Sequence, residues 1–402
     1  MLEGALTLTE NTSAEDAMNN RQRALAVLNY EPYDRLPIVH FGFWGGYTLQ
    51  KWAAEGHLAM EQADAWADGN FVDQQVGDQL GFDFNWQCSF APATRLWPAF
   101  ENELVTEFED GTRHVRNANG AIIVEKPDAL SIPAEIDHLL KDRPSWEKHY
   151  KHRYQWHPER VTKASVRTGD TFVPFDEGGL EYLRADQRDF PYGLSCGSLF
   201  GQIRDTLGLE NTCYLPIDDP VLFDEIIETV GELSFQAVQY ALAQGPRFDF
   251  GHFWEDICFK NGPLVNPETF AAKVGPHYKR ITDLLHQHGI DIVSLDCDGD
   301  IDTLVPIWLE NGVNTMFPIE VGTWNASIEP WRQQYGRELR GVGGVNKNVF
   351  SRDRAAVDAE IKRIEPLVAM GGYIPCIDHR IAPDAEWGLV RYYCERMREV
   401  FA

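Results

Sequence analysis

The strongest constraint on this chain is a series of eight short apolar runs, most of them separated by helical stretches. Each run ends in residues suited to binding or catalysis. Strands that alternate with helices form parallel sheets, and eight such units close into a (β/α)8 TIM barrel with its active site in the loops after the strands. The sequence therefore predicts an α/β barrel enzyme. The runs are Leu36–Gly42, Phe82–Asn85, Tyr192–Ser195, Phe248–Phe253, Ile290–Leu295, Val313–Ile319, Leu339–Val345 and Ile374–Ile377.

The segments around these runs complete the expected order of elements. Residues 1–19 are predicted to be a flexible tail, and a helix over 20–29 forms an N-terminal helical extension. The region 20–402 is then predicted as a single barrel domain. Further helices are expected over 46–80, 198–209, 218–243, 267–287, 300–311, 325–335, 353–369 and 386–400.

An insertion at about 100–170 interrupts the alternation of strands and helices. Asp110-Gly111 and Asn119-Gly120 stand between short strand-like runs in 100–126, and such dipeptides are strong turn signals. They predict a small antiparallel β meander inserted in the barrel. Residues 127–170 are charged, proline-broken and rich in Trp, Tyr and His, so we predict helices and loops on the barrel's outside.

The composition excludes several classes of partner. Sixty-two acidic against 36 basic residues give a net charge of −26, which argues against nucleic acid because phosphate binding needs a basic surface. Seven cysteines without CxxC spacing favour a reducing compartment. The amino terminus has no signal pattern, and no apolar run is long enough for a membrane span. The sequence predicts a cytoplasmic protein that does not associate with membranes.

The sharpest local motif is Asp296-Cys297-Asp298-Gly299-Asp300. Alternate side chains of a strand share a face, so Asp296 and Asp298 can project together into the barrel mouth, where they would raise one another's pKa or attract a cation. An EF-hand is rejected because Ile307 stands where the closing glutamate belongs. The alternative is that Asp300 caps the helix 300–311 and the other two are solvated loop carboxylates.

Other polar residues follow the remaining strands. His379, in Asp378-His379-Arg380, suits acid–base chemistry and also zinc. The alternative is an Asp378–Arg380 salt bridge with an ordinary histidine. For Glu255 and Glu320 the alternative is a bond to backbone amides at a strand-to-helix turn. The predicted catalytic residues are Asp296, Asp298, His379 and Glu255, and the first three are also the tentative metal ligands.

Aromatic residues gather at the same strand ends and predict a pocket for a planar ligand. The alternative is that they fill the barrel or pack at its rim. Together with polar residues after two further strands, the predicted substrate-binding set is Phe41, Phe43, Trp44, Trp86, Trp254, Glu320 and Asn346.

Three stretches resemble the uroporphyrinogen decarboxylase superfamily, in particular its corrinoid-dependent methyltransferase branch (the methyltransferase I of O-demethylase systems). They are Asn20–Pro37, Ile290–Glu320 and Gly341–Tyr393, and the most specific segment is GGYIPCIDHRIAPD, residues 371–384. The resemblance implies a (β/α)8 barrel, in agreement with the strand count.

The departures from the family pattern narrow the function that the resemblance implies. Decarboxylases of the family carry an arginine in a segment that corresponds here to residues 41–46, which has none. Thiol-methylating members hold zinc through a His-x-Cys motif and a late Cys, and the matching positions here are Asp296, Asp298 and His379. An oxygen-and-nitrogen site of this kind would hold zinc more weakly, as a Lewis acid.

The resemblance therefore implies O-demethylation, in which the methyl group of a methyl ether passes to the cobalt of a separate corrinoid protein. An aryl ether of the guaiacol or veratrole kind is the leading donor. The chain has no DxHxxG cobalamin-binding pattern, so cobalamin would arrive on the partner, and Co(I) implies anaerobic operation. A homodimer is a compatible assembly. Two alternatives stay open: a cofactor-free decarboxylase or lyase acting on another acid, and a non-catalytic tetrapyrrole-binding module.

Overall fold

The computed structural model describes residues 18–127, 129 and 132–402. The predicted tail 1–19 lies outside these residues except for its last two positions. The strands, in chain order, are β1 (Val39–His40), β2 (Phe84–Asn85), β3 (Ser89–Phe90), β4 (Glu103–Glu107), β5 (Arg113–Arg116), β6 (Ala121–Glu125), β7 (Ala134–His138), β8 (Ser165–Thr168), β9 (Thr171–Pro174), β10 (Gly193–Gly197), β11 (Phe250–Trp254), β12 (Cys258–Phe259), β13 (Gly262–Pro263), β14 (Val293–Asp296), β15 (Thr315–Phe317), β16 (Arg340–Val345) and β17 (Tyr373–Ile377).

Helices fill most of the remaining chain. Several helices begin at an N-cap side chain that accepts a backbone N–H of the first turn. These N-cap residues are Asn19, Asp219, Asn266 and Asp353. The α-helices are α1 (Asn20–Leu28), α2 (Gly45–Ala54), α3 (Met60–Ala65), α4 (Phe71–Leu80), α5 (Arg143–Ser145), α6 (Glu159–Thr162), α7 (Leu180–Ala185), α8 (Gly201–Asp218), α9 (Pro220–Ala243), α10 (Pro267–Lys273), α11 (Gly275–Gln287), α12 (Val305–Glu310), α13 (Val321–Trp324), α14 (Ile328–Tyr335), α15 (Arg354–Ala369) and α16 (Trp387–Val400).

The central sheet is parallel and closes on itself. Its strand order is β2-β1-β17-β16-β15-β14-β11-β10-β3. The two outermost strands, β2 and β3, belong to one stretch of chain and are separated only by residues 86–88. The sheet therefore has eight positions around a barrel, the second of them interrupted, and the predicted (β/α)8 barrel is confirmed.

Side chains pack the inside of the barrel below its carboxyl end. Trp86 is 1% exposed, stacks on Phe250 with ring centroids 4.6 Å apart, and donates its Nε1–H to Ser294 Oγ at 3.1 Å. Asp296 lies two residues after Ser294, on the same face of β14. The interior is thus filled mainly by aromatic and aliphatic side chains, and Asp296 stands at the carboxyl end of β14.

The insertion carries the predicted meander and additional strands. Gly111 and Gly120 have φ of 80° and 83°, which places the two turns where the dipeptides predict them. The antiparallel sheet β4-β5-β6-β7 nevertheless has a fourth strand, and β8 and β9 form a separate hairpin. Strands β7 and β8 fall in 127–170, where the sequence predicts helices and loops, and β9 lies just beyond this region. Strand β7 is largely exposed, so its sequence lacks the alternation of buried apolar side chains that predicts a strand.

The helix predicted over 300–311 begins only at Val305. The carboxylate of Asp300 accepts the backbone N–H of Asp302 at 3.1 Å within the preceding loop, so the proposed capping role of Asp300 is wrong. None of the helices in the described part of the chain is long and apolar enough to cross a membrane.

Candidate active site

Three side chains from different strands meet at the carboxyl rim of the barrel. Asp298 follows β14, Glu320 follows β15 and His379 follows β17, and one oxygen or nitrogen atom from each lies within 4.8 Å of the others. Nε2 of His379 is 3.2 Å from Oδ2 of Asp298. Parallel strands of a barrel all end at one rim, which brings together residues that are up to 81 positions apart. We call Asp298, Glu320 and His379 the rim triad.

The loops that carry the rim triad are fixed by bonds from backbone N–H groups to carboxylates. Gly299 donates to Oε2 of Glu320 at 2.6 Å, and Asp298 donates to Oδ1 of Asp256 at 3.3 Å. Asp256 and Ile319 have φ of 54° and 57°. Non-glycine residues in this left-handed region are uncommon and cluster at functional sites, where the surrounding structure holds the strain.

Crowding of carboxylates perturbs the electrostatics of this rim. Burial raises the pKa of Asp296 well above its ordinary value, and the charges of Asp298 and Asp256 raise it further. The pKa of Asp256 is raised to about 6 by burial and by Asp298, and that of Glu320 is raised by the same two causes. A set of this kind is relieved by taking up protons or a cation.

The position of Asp296 corrects the predicted metal group. Its Oδ2 accepts a hydrogen bond from Nε2 of Gln87 at 2.7 Å, and Glu320 takes its place beside Asp298 and His379. Gln87 comes from the interruption between β2 and β3. Gln87 and Asp256 follow strand-forming runs by two and three residues, but neither belongs to the predicted catalytic, metal-binding or substrate-binding sets.

Glu255 does not join the rim triad. It is fully buried, and its carboxylate accepts the backbone N–H groups that begin α8, as well as hydroxyl groups. A carboxylate at a helix amino terminus is stabilised by these free N–H groups and by the helix dipole. Its partners are Leu199 N at 2.8 Å, Phe200 N at 2.9 Å, Gly201 N at 2.6 Å, Ser198 Oγ at 3.1 Å and the hydroxyl of Tyr278.

Two of the predicted aromatic residues flank the His379 imidazole. The ring centroid of Trp44 lies 5.3 Å from that of His379, and Phe41 approaches edge-on at 5.8 Å. Phe41 is itself buried at 4% exposure, whereas Trp44 is partly exposed. Phe43 and Trp86 are buried in the core at 0% and 1% exposure, which removes both from a ligand-accessible surface. Packing filled these two positions because the flanking helices and the barrel interior need large apolar side chains.

The remaining predicted residues have mainly structural partners. Oδ1 of Asn346 accepts the backbone N–H of Asn348 at 3.0 Å and caps a short helical turn. Asp378 accepts from the N–H groups of Gly322 and Lys347 at 2.7 and 2.9 Å. Arg380 pairs with Asp68 through two hydrogen bonds, so the alternative of an Asp378–Arg380 bridge is wrong.

Two atoms of the rim triad are buried and lack a protein partner among the described residues. They are Oδ1 of Asp298 and Nδ1 of His379. Buried polar groups are normally paired, so these atoms point to a ligand. Carboxylate oxygen and imidazole nitrogen are donors that Zn²⁺ and related divalent ions accept. The arrangement can therefore bind a cation or move a proton at an oxygen atom.

Comparison with known proteins supports the fold. No family model matches the chain, and no curated protein sequence does. A solved structure of a methyltransferase from Methanosarcina mazei superposes with a TM-score of 0.57 at 15% sequence identity, covering 96% of this chain and 100% of that one. A B12-independent methionine synthase from Shewanella sp. W3-18-1, in complex with selenomethionine, gives a TM-score of 0.46 at 11% identity, covering 91% of this chain and 98% of that one.

Proposed function

We propose that this protein is a methyltransferase that takes a methyl group from an aryl methyl ether, of the guaiacol or veratrole kind, and transfers it to the cobalt of a corrinoid held by a separate protein. The observation that carries the proposal is the rim triad with Trp44 and Phe41 beside its imidazole. The shared fold with a methyltransferase adds support by analogy only.

The chemistry of the ether explains why such residues are needed. Transfer breaks the O–CH3 bond, the bonding electron pair stays on the oxygen, and phenolate is a poor leaving group unless that oxygen is protonated or polarised. His379, positioned by Asp298 at 3.2 Å, can give a proton to the oxygen, and Asp296 is a second buried acid at the same rim. Trp44, which is partly exposed, offers aromatic surface beside the imidazole, next to the reacting methoxy group.

A divalent cation fits the same site. Asp298, Glu320 and His379 would hold it, and the two buried atoms without protein partners support this assignment. Two carboxylates and an imidazole can bind zinc, although more weakly than a site that contains thiolates. A bound ion would polarise the ether oxygen as a Lewis acid.

The rim also suits a docked macrocycle. Tyr47 in α2 and Phe259 in β12 follow barrel strands and are 42% and 51% exposed, so they give the mouth an apolar edge. The net charge of −26 favours a partner with a basic docking face. A corrinoid carried by such a partner would reach the rim triad from above the mouth.

The two alternatives fit less well. A decarboxylase or lyase must place a carboxylate at the reacting centre, where Asp256, Asp296, Asp298 and Glu320 would repel it. A non-catalytic tetrapyrrole-binding module gives no reason for buried acids with raised pKa values, a pattern typical of catalysis. It also predicts unchanged ligand affinity after replacement of the rim triad.

The test is incubation of the protein with a reduced corrinoid protein, or with cob(I)alamin, and a panel of methyl ethers. We expect aryl ethers to give the spectral change from Co(I) to methyl-Co(III). Asp298→Asn and His379→Ala should each slow transfer by about a hundredfold or more, the usual scale for a general acid. Asp384→Asn, an exposed carboxylate close to His379 in sequence, is the control. Absence of cobalt methylation with every donor, or near-normal rates in both variants, would refute the proposal.

A further inference from the structure

A separate cavity of about 210 Å³ opens at the rim of the barrel, among the loops that follow β3, β10 and β11. An apolar cavity of about 150 Å³ is large enough to hold benzene. This cavity therefore has room for one substituted ring and not for two. Its lining includes Thr94, Arg95, Leu96, Ser195, Gly197 and Trp254.

One wall combines an aromatic face with a positive charge. The guanidinium carbon of Arg95 lies 4.5 Å from the centre of the Trp254 ring, and the Arg95 side chain is 47% exposed. Nη1 of Arg95 pairs with Asp205 at 3.2 Å. A guanidinium has five N–H donors in a planar fork, so others are available to a carboxylate. Among the described residues that line the cavity, Arg95 is the one with an ionisable side chain.

The loop that carries Arg95 is held in place from below. Arg160, 1% exposed, donates to the carbonyl oxygens of Ala93 at 2.6 Å and Arg95 at 2.9 Å. On the opposite side Gly197 has φ of 85°, and a Cβ there would lie 2.7 Å from Oγ1 of Thr94. The cavity is thus shaped before any ligand binds, which lowers the entropic cost of binding.

A bulge in the sheet borders this cavity. The pairing of β10 with β11 shifts register between Ser195 and Gly197, both of which line the cavity. Bulges of this kind occur next to active sites, where they redirect side chains.

The surroundings orient an anionic ligand in one way. Trp254 is the register partner of Asp296, so the cavity lies directly beside the acidic rim. A carboxylate pointing towards Asp296 and Asp298 would be repelled, whereas one at Arg95 would be paired. The other end of such a ligand then faces the rim triad.

We propose that this cavity binds the ring of a monocyclic aromatic carboxylate, with the ring against Trp254 and the carboxylate on Arg95. Resting on the proposed function, this narrows the methyl donor to methoxybenzoates. Arg95 is then a specificity-determining residue, which selects carboxylated over neutral methoxyarenes by a charge-assisted hydrogen bond.

The test is calorimetric binding to the full chain without any methyl acceptor. The probes are benzoate, veratrate and veratrole; the last two differ only in the carboxylate. Loss of a hydrogen bond to a charged group should make Arg95→Gln bind both carboxylates at least about tenfold more weakly, with veratrole changed by less than about twofold. Arg95→Lys keeps the positive charge but lacks the planar fork of donors, so its affinity for the carboxylates should lie between those of wild type and Arg95→Gln. Trp254→Leu should weaken all three probes.

Arg113→Gln is the matched control, because Arg113 is also half exposed, at 51%, and has one carboxylate partner, Glu125, at 2.7 Å. Failure of the carboxylates to bind, or equal binding to wild type and Arg95→Gln, would overturn the cavity assignment. If the carboxylates bind through Arg95 but no donor supports methyl transfer, the cavity assignment stands and the proposed function is refuted. If veratrole and veratrate donate methyl groups equally well, and Arg95→Gln changes neither rate, the proposed function stands and the cavity assignment is refuted.

Discussion

At the scale of single residues, partners separate functional from structural carboxylates. Glu255 and Glu320 stand within two residues of the end of a barrel run in the sequence, and both are largely buried. Glu255 binds the backbone N–H groups that begin α8, whereas Glu320 lies within reach of His379 and Asp298. Local sequence could not distinguish them, because the difference is set by which helix or loop from elsewhere in the chain reaches each side chain.

The rim triad predicts which variants lose metal affinity. We expect Glu320→Gln to weaken Zn²⁺ binding by about a hundredfold or more, since loss of a residue that only hydrogen-bonds to a metal ligand already costs about ten- to a hundredfold. Asp296→Asn should weaken it by less than about tenfold, because Asp296 contacts Gln87 and is not in the triad. Calorimetric titration of the metal-free protein measures both. Equal losses in the two variants would contradict this ligand assignment.

Glu255 should matter for stability. Glu255→Gln places an amide NH2 against the N–H groups of Leu199, Phe200 and Gly201, which leaves buried donors unpaired. We expect the free energy of unfolding to fall by about 2–4 kcal/mol, as for loss of buried hydrogen bonds to a charged group. Urea denaturation measures it, with the exposed Glu310→Gln as control. An unchanged midpoint of unfolding would show that these bonds do not stabilise the fold.

At the scale of elements, connections decide what the barrel presents at its rim. The break between β2 and β3 allows Gln87 to reach Asp296, and a single buried arginine holds the loop of the ring cavity. Arg160 also donates to the carbonyl oxygens of Arg153 and Gln155, so it joins two segments of the insertion to the barrel. Burial lowers its pKa to about 10, which still leaves it charged at neutral pH.

Arg160→Lys should loosen this connection locally. Lysine keeps the charge but cannot reach several carbonyl groups at once, because it lacks the planar fork. We expect faster amide hydrogen exchange in residues 91–97 and little change in the β14–β17 half of the barrel. Hydrogen exchange followed by mass spectrometry gives the regional rates, and Lys163→Met on the exposed side of the same region is the control. Uniform acceleration across the chain would mean that Arg160 stabilises the whole fold instead.

Elements with a buried side were predictable and exposed ones were not. The apolar runs placed all eight barrel positions in order, and Asp110-Gly111 and Asn119-Gly120 placed the meander turns. Strand β7 was missed because its side chains are mostly in water, so no alternation marks it. The start of α12 was missed because Asp300 binds within its own loop.

At the scale of the whole molecule, barrel closure concentrates negative charge at one rim. Asp256, Asp296, Asp298 and Glu320 come from the ends of three neighbouring strands, β11, β14 and β15. The chain as a whole carries −26. Such a rim stores unfavourable electrostatic energy that binding of a cation or protons would release.

The raised pKa of Asp256 predicts that wild type and Asp256→Asn differ in their free energy of unfolding by an amount that depends on pH. The pKa of Asp256 is about 6 in the folded protein against 3.8 ordinarily, so between these values the folded state binds more protons than the unfolded state. Its contribution to the free energy of unfolding therefore falls as pH rises from about 4 to about 6, and is constant above. We expect Asp256→Asn to match wild type near pH 4 and to be more stable above pH 6.

Urea denaturation in the presence of a chelator, repeated across this pH range, measures the difference. Asparagine suits the left-handed backbone at this position and keeps an acceptor for the N–H of Asp298, so little else changes. Asp384→Asn should follow wild type at every pH. A constant difference between Asp256→Asn and wild type would mean that Asp256 does not titrate in this window.

The sequence by itself determined the alternation of strands and helices, because apolar spacing and turn residues act over a few neighbouring positions. It also determined that polar groups follow the strands. Only the tertiary structure decided that Glu320 stands with Asp298 and His379, that Glu255 is buried under α8, and that Arg95 lies over Trp254. These outcomes depend on distances between residues far apart in the chain, which barrel closure and loop packing fix and no local pattern encodes.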